Sequence, residues 1–137
     1  MASLTFTPYY CFVEHLAEKV HNLGSDTLKI ALTNTAPTLT HTQYSQITEI
    51  SAGNGYTAGG ATVSISSSSQ TTGTYTLVGT GTVSWTASGG AIAAFRYLVL
   101  YNDTASNKEV IGYYDHGSAV NLASGDSYVG NAAATLL

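Results

Sequence analysis

From Ile50 to Phe95 the chain carries no Asp, Glu, Lys or Arg, and the stretch is rich in Ser, Thr, Gly and β-branched residues. Residues of these types favour strands and turns. They also withhold the ionisable groups that acid–base or metal chemistry requires. The stretch ends at Arg96, and the apolar run Tyr97-Leu98-Val99-Leu100-Tyr101 follows, the pattern of a strand buried on both faces. An all-β structural or binding domain is the expectation.

At 137 residues the chain is of a size that makes one core and has no room for a second. Charged residues are 9% of the chain, against a usual share of about 25%. A surface of hydroxyls and glycines has little charge repulsion to keep molecules apart, so much of it is expected to meet other subunits. The alternative is a monomer kept hydrated by its hydroxyls. With four Lys plus Arg and a net charge of -4, the chain has no basic patch to displace counterions, so no nucleic-acid partner is expected. The single cysteine, Cys11, excludes an intrachain disulfide. The opening Met1-Ala2-Ser3-Leu4-Thr5 has neither the basic nor the apolar region of a secretory signal, so synthesis in a reducing cytoplasm is expected. No apolar run approaches the roughly 20 residues of a membrane span, and no membrane partner is expected.

Thr7-Pro8 reads as an N-cap followed by proline at the first helical position, and Leu23-Gly24 as a helix end. The expected helix spans 8–23, with Phe12, Leu16 and Val20 on one apolar stripe that packs against a sheet. Residues 27–32 alternate as a strand, 34–43 read as loop, and 44–50 as either a helical turn or a strand. The segment 52–60 is too glycine-rich for either and is expected to be an exposed, shaped loop. Further strands are expected at 61–66, 74–78, 82–86, 92–101, 109–114, 119–122 and 133–137. Between some of them fall turns at 67–73, 88–90, 102–107 and 124–126. The expected fold is a single-domain antiparallel β-sandwich or barrel, with one N-terminal helix packed on it. Residues 1–10 form an arm or an edge strand, 8–23 the helix, and 27–137 the β-rich body.

Chemical constellations are sparse. The eight acids form no paired-carboxylate motif. Asp115-His116 are adjacent, hence on opposite faces of a strand, and Asp-His-Gly is expected to turn the chain. His15, His21, His41 and His116 lack zinc spacing, so no metal and no cofactor is expected. Cys11 is expected to be a small packed residue. Gly53-Asn54-Gly55 resembles a phosphate loop only superficially, since the lysine and following helix are missing. Asn102-Asp103-Thr104 matches the glycosylation triplet. Arg96, the sole arginine, is expected among apolar neighbours in a structural ion pair with Asp115, Asp126 or Glu49. Leu4, Phe6, Tyr9, Tyr10, Tyr44, Asn54 and Tyr56 are the candidate partner contacts, as apolar arm residues or as aromatic and amide groups on loops. No catalytic residue is expected.

Three segments together resemble a family of tailed-bacteriophage capsid decoration (cement or head-stabilising) proteins. They are Phe12 through Gly24, then Leu28 to Pro37 with Ile47 to Tyr56, and Trp85 through Asp103. The resemblance implies a non-enzymatic virion protein on the outer capsid surface. Its partners would be the major capsid protein and its own copies, as a homotrimer, and the family offers no catalytic residue. The alternative is a phage tail or head-fibre receptor-binding module that recognises surface carbohydrate.

Overall fold

The structure, a computed structural model, describes residues 4–79, 82–131 and 134–135. The strands in chain order are β1 (Thr5–Pro8), β2 (Leu28–Thr33), β3 (Ala61–Val63), β4 (Ile65–Thr71), β5 (Thr74–Gly79), β6 (Thr82–Thr86), β7 (Ile92–Asn102), β8 (Val110–Leu122), β9 (Ser127–Asn131) and β10 (Ala134–Thr135). A short helix α1 (Phe12–Ala17) follows β1, and a 3₁₀ turn (Tyr44–Gln46) lies between β2 and β3. Every strand pairing is antiparallel. The main sheet has the order β1-β8-β7-β2-β3, and two smaller sheets have the orders β10-β5-β4 and β6-β9.

Alternation along β2 and β7 sorts their side chains onto two buried faces. Leu28, Ile30 and Leu32 lie with Leu98 and Leu100 in a core completed by Leu77, Val83, Trp85 and Tyr128 of the smaller sheets, and by Phe12 and Leu23. Ala31, Val99 and Tyr101 face the other way, into a second cluster with Tyr9, Cys11 and Val110. Tyr44 and Ile47, from the segment between β2 and β3, pack against that cluster. Strand β7 is therefore apolar on both sides because both sides are covered.

Of the two readings of residues 1–10, arm or edge strand, the described part is the edge strand. Residues Thr5–Pro8 pair with β8 in the register Thr5↔Asp115 to Pro8↔Gly112. Phe6 fixes it: a Cβ on Gly112 would lie 2.2 Å from the Phe6 ring, so the missing side chain of Gly112 leaves the space that ring fills. Met1 to Ser3 lie outside the described residues.

The helix is also shorter than expected, ending at Ala17 rather than near Leu23. The Lys19 N–H donates to the Leu16 carbonyl, the Val20 N–H donates to the His15 carbonyl, and Lys19 has φ 63°. That is a Schellman termination with lysine in the left-handed position usually held by glycine. Pro8 closes β1 instead of opening the helix, and Cys11 occupies the N-cap.

Two further expectations are corrected. The expected turn at 67–73 is mostly strand: the serines at 66–69 belong to β4, and the turn is only Thr72-Gly73. Asp115-His116-Gly117 does not turn the chain. It forms an irregularity within the long strand β8, where the register jumps from Phe95↔Val120 to Tyr97↔Asp115. Strand β9 begins immediately after the expected turn at 124–126, and of the expected strand 133–137 the described part is β10, paired with β5.

Candidate binding surface

The loop at 52–60 takes its shape from one carboxylate. Glu49 accepts hydrogen bonds from the hydroxyls of Tyr44 and Tyr56 and from the Gly59 N–H, the last at 2.7 Å. The Tyr56 hydroxyl also accepts from the Leu32 N–H of β2 at 3.0 Å, and the Tyr101 hydroxyl donates to the Gly59 carbonyl at 2.6 Å. Burial, and then the neighbouring Glu49 carboxylate, push the Tyr44 and Tyr56 phenols upward, so both remain hydrogen-bond donors. This network pins the loop to the sheet. Neither tyrosine is a free recognition group: Tyr56 is 2% exposed and Tyr44 stacks on Tyr101.

The other expected contact residues divide in the same way. Tyr9 is buried against Tyr113, while Leu4 and Phe6 are half-buried on the main core. Asn54 is exposed but engaged, its side-chain amide donating to the Ala91 carbonyl at 2.8 Å. Tyr10 is different, being 71% exposed, and Val13, three residues on, is 62% exposed. Together they present an apolar spot at the start of α1. The sequence suggested Tyr10 as a contact, but it set Val13 beside the apolar stripe expected to pack on the sheet, and the structure leaves Val13 exposed instead. Val129 on β9 is also exposed.

Arg96 pairs with Asp115 through two parallel bonds, Nε to Oδ1 at 2.8 Å and Nη2 to Oδ2 at 3.0 Å. Its guanidinium lies over the Tyr97 ring, 5.2 Å from the centroid. The expected pair exists, but its apolar surroundings do not, because the Arg96 side chain is 39% exposed. The pair lies beside the β8 irregularity, where the Gly117 N–H also donates to Asp115. The Arg96 hydrogen bonds and that N–H hold the Asp115 carboxyl below the usual carboxylate range.

Two sequence motifs are absorbed by structure. Asn102 is fully buried. Its amide donates to Asp26 and to the ring nitrogen Nδ1 of His21, while its carbonyl accepts the N–H groups of Thr104 and Ala105. A glycan cannot be attached there without opening the fold. Cys11 is buried, and burial pushes its thiol up, the reverse of an activated nucleophile. Among the described residues no group of three or more His, Cys, Asp or Glu is placed to hold a metal ion. No helix there is long and apolar enough to cross a membrane.

A groove of about 640 Å³ lies between the α1 region and the β4–β5 hairpin, with Phe12, Leu16, Leu23 and Tyr75 as its apolar lining. Lys19, His21, Asn22 and Ser68 supply polar groups at its walls. The apolar stripe of α1 is visible in sequence, but the meeting of that stripe with the serine-rich hairpin is a long-range event that no local pattern encodes. No protein family matches this chain, and no curated protein or solved structure matches it.

Proposed function

We propose that this protein is a non-enzymatic virion component that binds the outer surface of a phage capsid and stabilises it, acting as a homotrimer. The observation that carries this reading is a chain rich in hydroxyl side chains and poor in free charge. Lys29 and Lys108 both pair with Asp103, Arg96 pairs with Asp115, and the run from Ile50 to Phe95 contributes no charge at all. Outward on the rest of the described surface are many hydroxyl and amide groups, the apolar side chains of Tyr10, Val13 and Val129, and a few charges such as Glu14, Glu18 and Lys19. Such a surface suits many weak contacts multiplied by symmetry. Its partners on this reading are the major capsid protein and its own copies.

The receptor-binding alternative needs free tyrosine and asparagine side chains on loops. The loop residues that would serve it, Tyr44, Asn54 and Tyr56, are committed to internal bonds, which favours the decoration reading. Copy number in purified particles tests it. Hundreds of copies per virion, with heads lacking the protein breaking at lower temperature, are the expected result. A few to a few dozen copies, or absence from mature particles, would sink it.

A further inference from the structure

We propose that the groove between the α1 region and the β4–β5 hairpin receives an extended peptide segment, which adds as a strand along the open edge of β4 and presents one apolar side chain and one carboxylate. That the segment belongs to a capsid subunit rests on the function proposed above. The recognition chemistry does not.

Three observations converge. Strand β4 is the outermost strand of its sheet, seven residues long, with neither proline nor charge. Proteins usually blunt such an edge with one or the other. Among the described residues the other edge strands are shorter, and β1 ends in Pro8. Next, β2 and β3 stop pairing at Leu28↔Val63. Beyond that point residues 24–27 diverge from the β3–β4 chain and leave a cleft of about 270 Å³, which shares Gly24 with the larger groove. The two depressions together pass from Thr62 to Ser68. An extended chain adding here would satisfy backbone groups along β4, with alternate side chains directed to opposite faces.

The third observation is charge. Of the four basic residues, three are in ion pairs, and among the described residues Lys19 has no acidic partner. It lines the same groove as Phe12, Leu16, Leu23 and Tyr75. The left-handed conformation of Lys19 fixes its backbone at this rim. An apolar floor beside one unneutralised ammonium is complementary to an apolar residue near a carboxylate.

The test is an amide NMR titration of the intact chain with a blocked hexapeptide of alternating threonine and valine containing one glutamate, and with its glutamine twin. Saturable shifts confined to Lys19, Gly24 and residues 64–70 are expected, with the glutamine peptide about two- to fivefold weaker. Lys19→Gln is expected to erase the difference between the two peptides, and Leu16→Asp to weaken both by about tenfold or more. Should Leu16→Asp unfold, Lys19→Gln alone carries the test, since that side chain is exposed. Shifts elsewhere, or equal binding of the two peptides, would overturn the proposal. So would concentration-dependent self-association lost in Lys19→Gln, which would make the groove a contact between copies. Head binding separates the two readings. If the wild-type chain binds heads and folded Lys19→Gln and Leu16→Asp bind equally well, the groove proposal fails. If the peptide binds but wild-type protein ignores heads, the capsid reading fails and the groove stands.

Discussion

Thr72 and Gly73 join β4 to β5 in a two-residue turn with φ values of 49° and 85°. Both positions of such a turn require the left-handed region, and Asn-Gly is the preferred pair because a β-branched residue is strained there. Thr72→Asn is expected to stabilise the fold by about 1 kcal/mol, read as a raised midpoint in urea with an unchanged slope. Gly60 shows the opposite case. Its φ is 77°, and a Cβ there would lie 1.8 Å from the Ile30 carbonyl oxygen, a rigid backbone atom of β2. Gly60→Ala is expected to cost more than about 4 kcal/mol, and a variant with wild-type denaturation would disprove that packing. The role of Gly60 was not legible in the sequence, where it is one glycine among several; a turn was expected at 67–73, but not that it would narrow to Thr72-Gly73. The Arg96–Asp115 pair was legible as a pairing but not in its exposure. Because the pair faces solvent and is screened, Arg96→Met is expected to leave the melting temperature nearly unchanged, where a buried pair would have produced a large loss.

At the scale of elements, sequence periodicity succeeded where local pattern and tertiary outcome coincide. Residues 92–101 read as a doubly covered central strand and are one, as β7, because an apolar run can be satisfied only by cover on both faces. It failed where two local signals competed. Thr7-Pro8 is a good helix start in isolation, yet Leu4 and Phe6 gain more by packing on the core, and pairing with β8 draws Pro8 into the edge of the sheet. Proline is tolerated there because its missing N–H can face away from the neighbouring strand. The consequence is testable on β1 as a unit. Phe6→Ala empties the space over Gly112 and separates the Phe6 ring from Tyr114, now 5.2 Å away between centroids. A loss of about 3 kcal/mol is expected. Deleting residues 2–7 should lower stability further, whereas a detachable arm would leave the denaturation midpoint where it was. The groove beside α1 was illegible for a related reason, since one wall comes from a helix stripe and the other from a strand about fifty residues away in sequence.

For the molecule as a whole, acid stability follows from where its few titrating groups lie. His21 is buried, its ring packed near Phe12 and His15, and burial with the nearby His15 depresses its pKa from 6.5 to about 4. Asp26 and Glu109 act against that shift without cancelling it. The folded chain therefore holds His21 neutral between pH 6.5 and 4, while the unfolded chain takes up a proton there. Proton uptake favours unfolding, so stability is full above pH 6.5, declines as pH falls towards 4, and is not reduced further by this residue below that. The decline amounts to about 3 kcal/mol for a shift of this size. Asp103, bonded to Lys108 and Lys29, and Asp115, bonded to Arg96, have lowered pKa values. Their contribution is present above pH 3.8 and is lost only below it, so acid unfolding has two separate limbs. His21→Gln can keep an acceptor for the Asn102 amide while removing the proton site. Urea midpoints measured at closely spaced pH values should then lose the limb between 6.5 and 4 and keep the one below 3.8. If the variant retains the upper limb, the histidine does not govern it, and the burial of His21 against Asn102 is not what sets the acid tolerance of this fold.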